Sequence, residues 1–171
     1  MNLKQTSSSL LLLQIFVFTA VAASSDSDTN CVASTSVETN GCRFTVCVTN
    51  DNPKIGEAIG IKTTLENISS NDVEIVRASP LIDNRIIVVR NKKEVTPMTS
   101  YGKSTRILVI SQAKQILKPG DKTAASFAIN RFFEMTNNGV YEITVSRPVL
   151  INETERSAIT APPIEIHLKK D

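Results

Sequence analysis

The sequence contains no tryptophan, only two tyrosines and a single histidine, His167. That histidine is distant from all three cysteines, which argues against a zinc site. No glycine-rich phosphate loop occurs, and no nucleophile, base or pair of carboxylates has a catalytic arrangement. Aromatic residues do not alternate with basic ones, so base stacking on nucleic acid is not expected. The sequence predicts a non-enzyme without catalytic residues, metal, cofactor or nucleic-acid partner.

Long apolar runs are also missing after the N-terminus. Residues 10–23 are almost entirely apolar, follow a short segment that carries Lys4, and end in small residues. The run has about 14 residues, fewer than the ~20 required to span a bilayer. This is the layout of a cleaved signal peptide, here residues 1–23. We expect a secreted protein, periplasmic if the host is bacterial, whose mature chain has no membrane span.

Three cysteines, Cys31, Cys42 and Cys47, lie early in the mature chain. In an exported protein they are candidates for disulfide formation. If residues 43–48 form a strand, Cys42 and Cys47 face opposite sides. Cys31–Cys42 and Cys31–Cys47 then remain as alternatives, with one cysteine left over. Residues 24–42 are polar and show no apolar period, which predicts a flexible leader that contains cysteines.

The rest of the chain, residues 43–171, is predicted to form one all-β domain. Short segments with a period of two, separated by turn residues, favour an immunoglobulin-like antiparallel β-sandwich of seven to eight strands. Pro119-Gly120 predicts a tight turn. The predicted strands are residues 43–48, 57–67, 73–76, 85–90, 105–111, 123–130, 140–147 and 164–169.

Three features refine this prediction. The strand at 57–67 has the clearest pattern, with Ile59, Ile61, Thr63 and Leu65 on one face. Phe132-Phe133 interrupts the alternation, which predicts a helical turn or a corner that closes one end of the sandwich. Tyr141 follows a glycine at the start of the penultimate strand, where it is either a tyrosine corner or an ordinary core residue.

The order of these motifs resembles a known type of module. Gly56-Glu57-x-Ile59, Leu117-x-Pro119-Gly120-Asp121 and Gly139-x-Tyr141-x-Ile143-x-Val145 are similar to bacterial-type immunoglobulin-like domains. The chain resembles BsuPI-type proteinase inhibitors and the β-sandwich domain that accompanies deuterolysin-type metallopeptidases. No His-Glu-x-x-His motif is present, so only the accessory domain of such a peptidase is implied. The resemblance carries over no inhibitory residue.

Charge is unevenly distributed along the chain. Residues 77–122 contain ten basic and three acidic residues, a net charge of +7, whereas residues 24–76 carry a net charge of −5. If the central strands are neighbours, a basic patch results that could bind anionic polysaccharide, lipid headgroups or an acidic protein. Alternatively, these charges only protect sheet edges against aggregation. The candidate binding residues are Arg85, Arg90, Lys92, Lys93, Lys103 and Arg106.

Two sequons place glycosylation candidates at Asn67 and Asn152, which matter only in a eukaryotic host. The sequence therefore predicts a secreted, non-catalytic binding module for an unidentified protein or an anionic polysaccharide. One alternative is a proteinase inhibitor that uses a loop such as residues 95–103 as bait. A second alternative is a structural accessory subunit.

Overall fold

A computed structural model describes residues 31–107, 113–150 and 156–170 of the protein. The predicted signal peptide, residues 1–23, and the sequon residue Asn152 lie outside this part of the chain. Its elements in chain order are β1 (Ala33–Thr39), β2 (Cys42–Val48), β3 (Gly60–Asn67), β4 (Val73–Arg77), α1 (Pro80–Asp83), β5 (Arg85–Arg90), β6 (Glu94–Val95), α2 (Ser100–Ile107), β7 (Ala113–Leu117), β8 (Lys122–Ala128), a 3-10 helix (Ile129–Arg131), β9 (Gly139–Leu150), β10 (Arg156–Thr160) and β11 (Ile164–Leu168).

The strands form two antiparallel sheets. One has four strands in the order β1-β2-β3-β8. The other has seven strands around β9, with β5 and β4 along one edge of β9 and β11 and β10 along the other. β6 extends this sheet beside β5, and β7 extends it beside β4. The predicted all-β antiparallel sandwich is confirmed, although the described residues contain eleven strands rather than seven or eight.

The core lies between the two sheets because buried and half-exposed residues alternate along the strands. In β3 the buried face carries Ile61, Thr63 and Leu65, and Ile59 just before it is also buried, as predicted. In a strand, side chains two residues apart share a face. The inward row of β9 consists of Tyr141, Ile143, Val145, Arg147 and Val149. This row therefore places one charged side chain, that of Arg147, between the sheets.

The N-terminal part of the domain corrects the predicted leader. From residue 33 onwards the leader assignment for residues 24–42 is wrong, because β1 pairs with β2 over its whole length. Asn40 and Gly41 connect the two strands with φ angles of 51° and 70°. Positive φ at both positions is the type I′ turn that Asn-Gly favours. The hairpin was not predicted because its composition is polar, although Asn40-Gly41 is a turn signal in the sequence.

A disulfide between Cys31 and Cys47 fixes the open end of this hairpin, with a Cα–Cα distance of 5.6 Å. One of the two predicted pairings is thereby confirmed. Cys42 faces the core from the opposite side of β2 and is the free, buried thiol. Disulfides of this kind are typical of proteins that fold in an oxidising compartment.

Two connections carry the chain between the sheets at the same end of the sandwich. Residues 68–72 lead from β3 to β4, and residues 118–121 lead from β7 to β8. The second is the turn predicted from Pro119-Gly120. The Asp121 amide donates to the Lys118 carbonyl at 2.9 Å, and Gly120 has a φ of 84°, as a type II turn requires.

Asn67, at the end of β3, holds both connections. Its side-chain Nδ2 donates to the carbonyl of Leu117 at 2.8 Å and to that of Asn71 at 2.7 Å. Its Oδ1 accepts from the Ser69 amide at 2.9 Å. The residue is 0% exposed, so its amide nitrogen is buried and both of its hydrogens are engaged. A glycan on this nitrogen would have to replace one of these hydrogen bonds, so the folded domain disfavours Asn67 as an acceptor, and its glycosylation stays a prediction.

The aromatic residues near the other end of the sandwich take defined roles. The Tyr141 hydroxyl donates to the carbonyl of Asn137 at 2.9 Å, which is the backbone contact of a tyrosine corner. Phe132 and Phe133 follow the 3-10 helix and are buried. The interruption of the alternation is thus a helical turn.

One predicted strand is wrong. Residues 105–111 were expected to be extended, but residues 105–107 are the last turn of α2, and residues 108–111 lie outside the described part of the chain. Thr99 Oγ1 accepts a hydrogen bond from the Gly102 amide at 3.0 Å, as an N-cap residue does. Tyr101 stacks on Phe132 with ring centroids 5.6 Å apart. Capping and tertiary packing override the extended prediction for residues 105–107.

The cysteine arrangement predicts a simple labelling result. The chain has three cysteines, so a thiol reagent should label none of them in the folded protein and one after unfolding without reductant. Burial raises the pKa of the Cys42 thiol, and only a thiolate reacts. Peptide mass mapping should identify that thiol as Cys42. Fast labelling before unfolding, or a mapped Cys31–Cys42 bond, would contradict the structure.

Asn67→Ala should lower the free energy of unfolding by about 2–4 kcal/mol, because it removes the hydrogen bonds to both connections and leaves the buried Leu117 carbonyl without this donor. Chemical denaturation measures the loss. Asn138→Ala, at an exposed loop position, is the matched control and should leave stability nearly unchanged. Equal stability of the two variants would show that Asn67 does not hold the connections.

Candidate functional site

The six candidate binding residues do not form one patch. Arg85 begins β5 and Arg90 ends it, so they are about 17 Å apart at 3.3 Å per residue. Lys92 and Lys93 lie in the turn beyond Arg90, whereas Lys103 and Arg106 lie on α2. The predicted basic region is thus divided between the two ends of β5.

At the Arg90 end, two of the three cations are paired with carboxylates. Arg90 Nε donates to Glu94 at 3.0 Å, and Lys92 Nζ lies 3.4 Å from Glu165. Lys93 has no carboxylate partner among the described residues. This end of the strand carries little net charge.

At the Arg85 end, the cations have no carboxylate partner within the part of the chain that the structure describes. Arg85 and Arg106 line a surface hollow of about 170 Å³. Lys103 is one turn before Arg106 on α2, so the two side chains are neighbours. Within the described residues no carboxylate lies at ion-pair distance from these three side chains. Arg131 adds a fourth cation, with its guanidinium 4.9 Å from the centroid of the Tyr101 ring on α2.

We call Arg85, Lys103, Arg106 and Arg131 the α2 surface. Arg85, Lys103, Arg106 and Tyr101 are all exposed. Flexible, exposed cations can bind carboxylate or sulfate groups through charge-assisted hydrogen bonds. The α2 surface therefore suits an anionic ligand, and it retains three of the six predicted residues.

A second concave region lies between the two sheets, at one edge of the sandwich. A cleft of about 540 Å³ runs between the open edge of β8 and the connection from β4 to α1. One wall carries Arg77, Ser79 and Asp83, and the other consists of Ala124, Ala125 and Ser126. We call it the β4–β8 cleft.

The base of the β4–β8 cleft is charged and mostly buried. Arg147 Nη1 lies 3.4 Å from Asp83 Oδ2, and only 5% and 8% of the two side chains are exposed. Arg147 Nη2 donates to the carbonyl of Val76 at 3.2 Å, and Asp83 Oδ1 accepts from the Ala78 amide at 2.6 Å. Arg147 Nε is buried and has no hydrogen-bond partner. A hollow of about 10 Å³ beside Arg147 shares Arg77 and Asp83 with the cleft.

Electrostatics in the cleft favour an additional negative charge. Two guanidinium groups, Arg77 and Arg147, line the same hollow as the single carboxylate of Asp83, which pairs with Arg147. Burial lowers the pKa of Arg147, Asp83 opposes that effect, and Arg77 lowers the pKa further. The buried Ser79 hydroxyl oxygen also has no partner.

Sequence reasoning missed Arg77, Asp83 and Arg147 as a group. One signal was available, since Arg147 continues the inward row of Tyr141, Ile143 and Val145 in the predicted strand at 140–147. The other two come together with Arg147 only through the pairing of β4 with β9 and the position of α1. The sequence contains no spacing that encodes those contacts.

The remaining observations concern His167, metal binding and membrane-spanning helices. His167 lies exposed on β11. No group of three or more His, Cys, Asp or Glu side chains in the described residues could hold a metal ion. No helix within the described ranges is long and apolar enough to cross a membrane.

The fold is similar to that of the C-terminal domain of Wzt. The two align with a TM-score of 0.50 and 11% identity over 82% of this chain and 80% of that chain. A β-glucosidase from Listeria innocua in complex with glucose aligns at a TM-score of 0.39 and 12% identity, over 74% of this chain and 16% of the enzyme. Similarity this weak carries no argument about activity. No protein-family model and no curated protein matches this sequence, and the resemblance to BsuPI-type and deuterolysin-associated domains stays a prediction.

The buried ion pair predicts an asymmetric response to mutation. Asp83→Ala should lower the free energy of unfolding by about 3–5 kcal/mol, because it leaves Arg147 as an uncompensated buried charge. Replacing both residues by apolar ones, Asp83→Leu with Arg147→Met, should be much less damaging. Chemical denaturation compares the variants. Glu38→Ala, which removes an exposed ion pair with Arg43, is the control and should have little effect; a similarly small effect of Asp83→Ala would refute the analysis.

Proposed function

We propose that this protein is a secreted, non-catalytic binding module that holds an anionic polysaccharide on its α2 surface. The observation that carries the proposal is the group of unpaired cations, Arg85, Lys103 and Arg106, two of which line one hollow. Polysaccharides that carry carboxylate or sulfate groups present anionic charges along a chain, and clustered cations attract such a polymer. Arg131 and Tyr101 extend the surface towards the start of α2.

Three further observations are consistent with this role. The Cys31–Cys47 disulfide fits a protein exported to an oxidising compartment. A sandwich of two sheets gives a rigid support, on which α2 is fixed by its cap at Thr99 and by packing on Phe132. The ion pairs at the Arg90 end neutralise that part of the predicted patch, so the proposal rests on the α2 end alone.

The proteinase-inhibitor alternative receives no specific support from residues 95–103. Thr96 donates its amide to the carbonyl of Val88 at 2.8 Å, Met98 bridges to Phe133, and α2 begins at Ser100. A bait loop presents an exposed extended segment to a protease, whereas this segment is bonded to β5 and then helical. The accessory-subunit alternative stays a prediction.

Heparin affinity across a salt series tests the proposal. Residues 24–171 should be retained at low salt and released as salt screens the charges. Arg85→Ala with Arg106→Ala should weaken binding about tenfold. Lys118→Ala with Lys170→Ala removes the same charge from exposed positions elsewhere and should change retention much less.

A further double variant tests whether the two ends of the predicted basic patch differ in binding. Arg90→Ala with Lys92→Ala removes two cations that are already paired with carboxylates, and it should leave retention close to that of the unmodified protein. Equal losses in all three double variants would indicate a general charge effect and refute the α2 surface. Absence of retention at low salt would refute polyanion binding altogether.

A further inference from the structure

The free edge of β8 is the starting point for a second binding role. β8 is the last strand of the four-stranded sheet and pairs with β3 on one side only. In the described residues no other strand pairs with its second edge. A free strand edge presents unpaired N–H and C=O groups, which can accept another strand.

Two other strands at sheet edges, β1 and β11, make contacts outside their own strand pairs. β1 is joined to the facing sheet by Thr35 Oγ1, which donates to the Pro162 carbonyl at 2.8 Å. The outer edge of β11 bonds to the chain at residues 51–55, where the His167 amide donates to the Asp51 carbonyl at 2.9 Å. β8 therefore differs from β1 and β11 in having an edge that faces an open cleft.

The hydrogen-bond register identifies which backbone groups of β8 are free. Ile129 N donates to Ile59 O at 2.9 Å, and Asn67 N donates to Asp121 O at 3.0 Å. Because antiparallel bonding alternates along a strand, odd-numbered residues of β8 bond to β3. The N–H and C=O groups of Ala124 and Ser126 consequently point to the free edge. Their side chains are small, so another backbone can approach closely.

The same register places inward side chains of an added strand beside the charged base of the cleft. Ala125 faces inward because it pairs with the buried Thr63. A residue opposite Ala125 on an added strand would share that face. Arg77, Asp83 and Arg147 line the cavity beneath Ala125. An inward acidic side chain would meet the guanidinium of Arg77, which has no carboxylate partner among the described residues, and a buried Arg147 Nε that has no hydrogen-bond partner.

We infer that the β4–β8 cleft binds an extended acidic peptide, which adds to β8 as a strand and directs a carboxylate towards Arg77 and Arg147. Main-chain bonds to Ala124 and Ser126 supply affinity, and the inward acidic side chain supplies selectivity. This site is separate from the α2 surface, and its failure would leave the proposed polysaccharide site untouched.

A blocked, fluorescein-labelled heptapeptide of alternating threonine and valine with one central glutamate is the probe. In a strand its glutamate and valines share one face, which is the face expected to point inward. Fluorescence anisotropy should show that it binds at least about tenfold more tightly than the same peptide with glutamine, because a desolvated charge pair is lost. No binding, or equal affinity for the two peptides, would overturn the inference.

Two variants of the protein test the two parts of the site. Ala124→Pro removes a free-edge N–H without removing a bond to β3, and proline is tolerated at such positions. It should keep the far-ultraviolet circular dichroism and melting temperature of the parent while weakening peptide binding about tenfold. Arg77→Ala, at an exposed side chain, should remove the preference for glutamate over glutamine. Lys118→Ala is the charge-matched control and should bind like the parent.

Amide hydrogen exchange locates the bound peptide directly. Exchange at Ala124 and Ser126 should slow when peptide is added, whereas Thr123 and Ala125 already bond to β3 and should change little. Unchanged exchange at Ala124 and Ser126 at saturating peptide would overturn strand addition. Full competition by free glutamate at a similar concentration would also overturn it, since it would identify a carboxylate site without a strand.

Discussion

The buried side chain of Asn67 is the constraint on which the sandwich depends most. Two of the connections between the sheets, residues 68–72 and 118–121, pass the end of β3, and the Leu117 carbonyl just before the second is buried. Asn67 donates to one carbonyl from each side, Asn71 and Leu117, and its own backbone bonds to the turn at residues 118–121. An amide has the two donors that this site needs. The relative position of the sheets, and hence the width of the β4–β8 cleft, is fixed from this end.

Much of the fold was predictable because local sequence patterns indicate its strands and turns. Period-two alternation located β2, β3, β8, β9 and β11, a continuous apolar run located β5, and Pro119-Gly120 located a turn that changes sheets. The errors have local causes as well. The hairpin of β1 was missed because its composition is polar, although Asn40-Gly41 marks its turn. Residues 105–107 were misassigned because a cap at Thr99 and packing on Phe132 outweigh β-branched composition.

The candidate sites were predictable only in part, because charge along a sequence does not report pairing in space. Arg90 and Lys92 counted towards a basic region, yet both face carboxylates, one of them on a strand more than seventy residues away. Arg85 and Arg106 are twenty-one positions apart and share a hollow. The β4–β8 cleft depends on strand order and on α1, which has only four residues and is too short to produce a helical period.

Arg147 links the architecture to the proposed recognition. Replacing a buried ion pair by apolar residues of similar size often stabilises a protein, so such a pair is weak evidence for stability. Arg147 moreover lacks a partner at Nε, and Arg77 adds a second positive charge beside it. A purely structural ion pair would have hydrogen-bond partners for all of its buried polar atoms, and this one does not. It also lies beneath a free strand edge with small side chains. A carboxylate carried on an added strand would satisfy the guanidinium and the edge together, which neither water nor a simple anion does.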